Sequence, residues 1–253
     1  MAAQFLPGFF GKFPARGDFV SQRLPRGFLD VWDGWLQSAI ASSRQQLGPA
    51  WLDLYLHGPI WRFALSPGLC GQYPWCGVLM PSVDEVGRYF PLTLACPLPL
   101  DANPLYVATQ AQSWFAAAEE VVLGALDGGA FDMAAFDAAV LSLQGLDTLA
   151  ANAAVAAAAG FGSAWRLALA DDGDLHGALS GLSHQLLTQR LGNYSLWWGL
   201  GCARVDPSLL VCASLPAPQD FAAMLSGEWG SGEWDNWSRQ VAAPRGESWT
   251  LND

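Results

Sequence analysis

The stretch Cys76–Cys96, CGVLMPSVDEVGRYFPLTLAC, constrains this chain more than any other. An apolar run, Val78-Leu79-Met80, is stopped by Pro81, and a second run, Phe90 to Ala95, carries Pro91 near its start. Between them lies Ser82-Val83-Asp84-Glu85-Val86-Gly87-Arg88, a polar bend in which Gly87 is free to take positive φ. The pattern predicts two short buried strands joined by a tight charged turn. Asp84, Glu85 and Arg88 at such a junction point to positioning or recognition rather than to a catalytic constellation.

The rest of the chain can bury those strands. Of 253 residues, 52% are hydrophobic and only 14% charged, so a sizeable core is expected and global disorder is excluded. Thirteen tryptophans predict a bulky aromatic core with some surface anchors. The net charge of −11 is uneven. Residues 1–99 hold seven basic and six acidic side chains, and residues 100–253 hold five and seventeen. Lys12, Arg16, Arg23 and Arg26 cluster against Asp18 alone, either a patch for an acidic or phosphorylated partner or scattered solvated charge, while the overall charge argues against nucleic acid.

Five cysteines, at 70, 76, 96, 202 and 212, have no CxxC spacing and an odd count, so free thiols in a reducing compartment are expected and no zinc site. The N-terminus lacks a basic segment before its apolar residues and breaks at Pro7-Gly8, unlike a signal peptide. The alanine-rich stretch Leu149–Trp165 is too weakly apolar to span a bilayer. A soluble, cytoplasmic protein without membrane insertion is the expectation.

Periodicity predicts the remaining elements. Phe9–Phe13 reads as a strand closed by Pro14, and Ala15-Arg16-Gly17-Asp18 as a loop. Phe28, Trp32, Trp35, Leu36, Ala39 and Ile40 form one helical stripe ending at Gly48-Pro49. Residues 49–56 read as a short helix, Ile60–Leu65 as a strand, and Leu105–Leu126 as one long helix. A helix over Asp132–Leu143 takes Asp132 as its N-cap. A marginal alanine helix or connector over 147–163, a strand at Ala164–Leu169 and an acidic turn at 171–174 follow. Next come a helix at His176–Leu191, strands at Tyr194–Leu200 and Leu209–Ala213, and a short helix at Gln219–Leu225. The Trp-rich tail from Gly227 has too few aliphatics for its own core, so it wraps the body or offers anchors.

Catalytic signatures are absent. Gly8 and Gly11 do not extend to a phosphate-binding loop, no G-x-S-x-G occurs, and the 171–174 turn lacks the downstream Glu of a calcium loop. Asp84 and Glu85 are adjacent and would face opposite ways on a strand. No cofactor or metal is expected. The alternative left open is a hydrolase or small-molecule site on Ser180 and His184, one helical turn apart, which a deep polar pocket around them would support.

Three stretches together resemble one family. GFFGKFPARGDFV (8–20) is similar to the opening signature of the TagF-like (ImpM) type VI secretion-associated proteins. Trp32-Asp33-Gly34-Trp35-Leu36 resembles their W-D-x-W-L motif, and Gly77–Leu92 their third block. Beyond residue 100 only Ser195-Leu196-Trp197-Trp198 is similar. Glu85 stands where the family usually has Arg, which questions any role for charge at that position. The resemblance implies a non-enzymatic cytoplasmic regulator, a post-translational repressor of type VI secretion that binds a forkhead-associated (Fha) scaffold protein. Some relatives are fused to a PP2C-type phosphatase domain, for which this chain has no evident room or aspartate pattern.

On that reading the Gly11–Asp18 loop and the Asp84–Arg88 bend lie side by side and dock on the scaffold. Lys12, Arg16, Asp18, Asp84 and Arg88 supply polar contacts. Gly11, Pro14, Gly17 and Gly87 shape the backbone, and Trp32, Asp33, Trp35, Pro81 and Ser82 complete the structural motifs. For Asp84 and Arg88 an internal pairing role is weighed against a contact role. The expected fold is α+β, a mixed sandwich with one largely antiparallel or mixed sheet covered by helices. It is expected to form a single domain over 1–253, with two lobes, 1–100 and 101–253, as the other arrangement.

Overall fold

Continuous apolar strands need cover on both faces. The architecture supplies it: a computed structural model, describing residues 5–126, 131–143, 146, 174–230 and 234–235, places one antiparallel sheet between two helical layers. In chain order the elements begin with β1 (Gly8–Gly11), β2 (Val20–Gln22) and α1 (Arg26–Leu47). After one turn of 3-10 helix come α2 (Trp51–Leu56), β3 (Trp61–Leu65), β4 (Trp75–Met80) and β5 (Leu92–Pro97). Then follow α3 (Pro104–Gln110), α4 (Gln112–Gly124), α5 (Met133–Ser142) and α6 (Leu175–Leu191). β6 (Tyr194–Gly199), β7 (Ser208–Ala213) and α7 (Phe221–Ser226) close the described elements. The sheet order is β2-β1-β5-β4-β3-β6-β7. β6 pairs on β3, with Phe63 opposite Trp197, so strands from both sides of residue 100 share one sheet.

Alternation along each strand divides the core. Cys76, Val78 and Met80 of β4, with Leu92, Leu94 and Cys96 of β5, face Val107, Phe115, Ala118, Val122 and Phe136 from α3, α4 and α5. Trp75 and Leu79, with Trp61, Phe63 and Leu65 of β3, face the opposite way onto α1 and α7. The predicted α1 stripe is buried there in full, from Phe28 to Ile40. Each large side chain so buried contributes about 1.5–3 kcal/mol.

The tryptophans are chiefly core. Trp32 stacks at 5.8 Å on Trp197 and packs at 4.7 Å on Phe63, and its indole N–H donates to Thr93 Oγ1 at 2.8 Å. Trp35 donates to Pro216 O and Trp51 to Ser43 Oγ, so the apolar ring is buried without stranding its polar atom. From the tail, Trp229 packs on Trp61 and Trp234 on Trp229, wrapping the α1 side of the body. Trp237 and Trp249 lie outside the described residues.

Two expectations change. The helix over 105–126 divides at Ala111, which takes φ −92° and ψ 29°, into α3 and α4. Asn103 caps α3, its side chain accepting from Leu105 N at 2.9 Å with Pro104 in the first turn. The three-residue β2 is an addition, formed by pairing with β1. The expected alanine connector, the strand at 164–169 and most of the acidic turn lie outside the described residues. Among the described residues no cysteine is in a disulfide, and Cys70, Cys76 and Cys96 are buried. Among the described residues no helix is long and apolar enough to cross a membrane.

Candidate functional site

Sheet register brings the two signature loops together. β1 pairs with β5 (Phe10 opposite Thr93) and β5 with β4 (Met80 opposite Leu92). The chain therefore leaves β1 after Gly11 at the same sheet end where it leaves β4 after Met80. Gly11 makes the approach feasible: its φ is +145°, and a Cβ there would lie 2.2 Å from Pro91 O.

Asp84 is the hub of both loops. Its Oδ1 accepts from the N–H groups of Val86 (3.1 Å) and Arg88 (2.7 Å), while Oδ2 accepts from Arg88 Nε (2.6 Å) and Lys12 Nζ (2.5 Å). The local carboxylate-to-backbone turn suits an aspartate at the head of a bend, and Gly87, at φ +84°, closes it by donating to Asp84 O. Main chain joins the loops as well: Glu85 N donates to Arg16 O at 3.1 Å, and Arg88 Nη2 donates to Gly17 O. Ser82 Oγ donates to Lys12 O at 2.8 Å. From α2, Tyr55 donates its hydroxyl to Ser82 O (2.9 Å) and accepts from Ser82 N (3.1 Å).

Burial sorts the predicted contact residues. Lys12 is 4% exposed and Asp84 3%, so their pair faces inward and holds one loop to the other. Burial by itself would raise the Asp84 carboxyl. The Lys12 ammonium, the Arg88 N–H and the Arg88 guanidinium outweigh it and hold the group well below the usual carboxylate range. Arg16, Asp18 and Arg88 are exposed, with Arg88 Nη2 4.0 Å from Asp18 Oδ1. The exposed tip also carries Glu85, Phe19 at 50% and Val86 at 68% exposure. Position 85 serves the clasp through its N–H while its side chain is exposed.

The remaining motif residues support this end of the sheet or the core behind it. Pro14, Gly17 and Pro81 are half-buried along the loops, and Ser82 is buried. Trp32 and Trp35 are core, and Asp33, half-buried on α1, accepts from Gln37 Nε2 at 2.7 Å one turn on. Sequence reasoning missed Tyr55 and the aromatic support under the tip. Phe19 stacks on Phe10 at 5.6 Å and meets Phe90 edge-on at 4.8 Å, with Lys12 Nζ 4.9 Å from its ring. The signal for Tyr55 was its place four residues after Trp51 on α2, where the two rings stack at 4.7 Å. The part-buried Arg62–Glu119 pair, at 2.7 Å through Nε with Gln112 on Nη1, was also missed.

Ser180 and His184 share α6, but the His184 Nδ1 hydrogen bond goes to the Tyr194 hydroxyl at 2.6 Å. Burial lowers the His184 pKa, favouring neutral imidazole. His57 pairs with Asp53, and His176 Nε2 meets Thr109 Oγ1 at 2.9 Å. Among the described residues no group of three His, Cys, Asp or Glu side chains could hold a metal ion.

A seven-stranded antiparallel sheet between helices, with two loops clasped over a buried aspartate at one end, defines a protein whose distinctive feature is a built surface. The TagF N-terminal domain, type VI secretion system-associated, matches residues 8–143, and the chain belongs to that family. It is also similar to the crystal structure of PA0076 from Pseudomonas aeruginosa PAO1, at 36% identity and a TM-score of 0.73, over 91% of this chain and 97% of that one. No protein with a curated description matches.

Proposed function

We propose that this protein is a non-enzymatic, cytoplasmic, post-translational repressor of type VI secretion that binds an Fha-type scaffold through the clasped loop tip. Family membership supports the secretion role. The observation that carries the surface is the convergence of two sequence-distant signature blocks, through Asp84, into one exposed patch of Arg16, Asp18, Glu85 and Arg88 around Phe19 and Val86. Charges flanking exposed apolar groups, on loops already fixed by hydrogen bonds, lower the ordering cost of docking. Occupying the scaffold in this way blocks assembly of the secretion machine.

Titration calorimetry of the protein against the Fha scaffold, wild type beside Arg16→Glu, tests this. The expected result is binding lost in the variant with an unchanged melting temperature, since the Arg16 side chain is exposed and the clasp uses its backbone O. Absence of binding with both proteins folded removes the mechanism.

A further inference from the structure

Beside the clasp runs a second feature that shares only Arg88 with the loop tip. A groove of about 610 Å3 separates the end of α1 and the start of α2 from the bend, lined by Arg44, Trp51, Leu52, Arg88 and Tyr89, with Gly48-Pro49 on one side. It has two cations and aromatic rings, and no carboxylate among its lining residues. Arg88 is already paired with Asp84, so in a chain of net charge −11 the uncompensated cation of this groove, among the described residues, is Arg44.

Both cations are held in place. The Arg44 guanidinium lies 4.2 Å from the Trp51 ring and 6.0 Å from Tyr89. Among the described residues it has no ion-pair or hydrogen-bond partner. Stacking leaves the in-plane N–H edge of an arginine available, which is the edge that takes a carboxylate in a two-pronged bond. Arg88 is anchored through Nε to Asp84 and through Nη2 to Gly17 O, and its Nη1 has no partner among the described residues. Arg44 also suits the last turn of α1, where a cation meets the carbonyl end of the helix. That preference explains a basic residue there, but not its stacking across a groove that faces a second arginine.

We infer that this groove binds an acidic peptide segment of a protein partner. Carboxylates pair with Arg44 and Arg88, and the apolar stems lie on Leu52 and Tyr89, with Trp51 buried beneath the Arg44 guanidinium. Leu52 is 40% exposed, so the floor offers apolar area to a ligand. The inference rests on the proposed function only in taking the partner to be a protein.

The test is an NMR titration of the 15N-labelled full chain with a short capped peptide alternating glutamate and glycine, and with its glutamine counterpart. The expected result is a shift of the Trp51 indole and of the Leu52 and Tyr89 amides with the glutamate peptide alone. Arg44→Gln should weaken binding about tenfold, the loss of one charge-assisted contact. Leu52→Glu, which adds a carboxylate to the groove, should abolish it. Both side chains are exposed, and the spectra report whether each variant keeps the fold. No shift at millimolar peptide, equal shifts with the glutamine peptide, or undiminished binding by Arg44→Gln each overturns the inference. Because the peptide is titrated without the scaffold, a failed groove and a failed scaffold interaction are separate results.

Discussion

Lys12 Nζ lies 2.5 Å from Asp84 Oδ2, joining two loops 72 residues apart in sequence. Neither group is accessible, so the pair acts inside the molecule and positions what is outside it. Its value is geometric: two charges taken from water gain little net stability together, but either one left alone is costly.

That asymmetry gives the first prediction. Lys12→Met should lower the melting temperature by roughly 10 °C, because Asp84 then keeps only the Arg88 guanidinium as a charged partner. The double variant Lys12→Met/Asp84→Asn should be less destabilised than the sum of the two single variants. Thermal melts of all four proteins close the cycle. Additive losses would mean that the pair is not coupled.

The depressed Asp84 carboxyl fixes a pH dependence. A carboxyl whose folded pKa lies below its unfolded value of about 3.9 stabilises the fold fully above that value. This contribution is lost as pH falls through about 4 and onward to the lower folded value. Melting temperature against pH should therefore drop more steeply below pH 4 in wild type than in Asp84→Asn, which cannot titrate there. Parallel acid limbs in the two proteins would contradict the assignment.

Much of this was legible in the sequence, for reasons that particular residues make plain. The stripe from Phe28 to Ile40 has the helical period, and the runs flanking the 82–88 bend are apolar except for Thr93 because both sheet faces are covered. Asp84, Gly87 and Arg88 form a local turn whose chemistry lies within five residues. The burial of Lys12 was not legible, since lysine is ordinarily exposed and its partner is remote in sequence. β2 is only Val-Ser-Gln and exists through its pairing with β1, and the break at Ala111 carries no Gly or Pro to announce it. The groove was hidden too, because Arg44 and Arg88 meet across it only once α1 and the bend are placed.

Gly11→Ala tests the close approach of β1 to the bend. The added methyl would meet a backbone oxygen rather than a flexible side chain, at a φ that L residues rarely adopt. Urea unfolding should give a loss of at least about 2 kcal/mol. Gly17→Ala is the control, because a Cβ there meets nothing within 4 Å. Equal stability of the two variants would show that the loop moves freely away from Pro91.

Tyr55→Phe isolates the support from α2. The phenol oxygen both donates to Ser82 O and accepts from Ser82 N, so one atom closes two bonds at the point where β4 enters the bend. Burial pushes the Tyr55 phenol up, with the Ser82 backbone bond opposing, so the hydroxyl remains a donor across the physiological range. Removing it leaves the Ser82 N–H without its side-chain partner, while Ser82 O still accepts from Phe90 N. The expected loss is about 1–3 kcal/mol, with the ring stack on Trp51 retained. Hydrogen exchange of the Ser82 amide should accelerate more than that of Leu79, which lies within the β3–β4 ladder opposite Trp61. Equal acceleration at both amides would mean that Tyr55 stabilises the whole sheet rather than the bend.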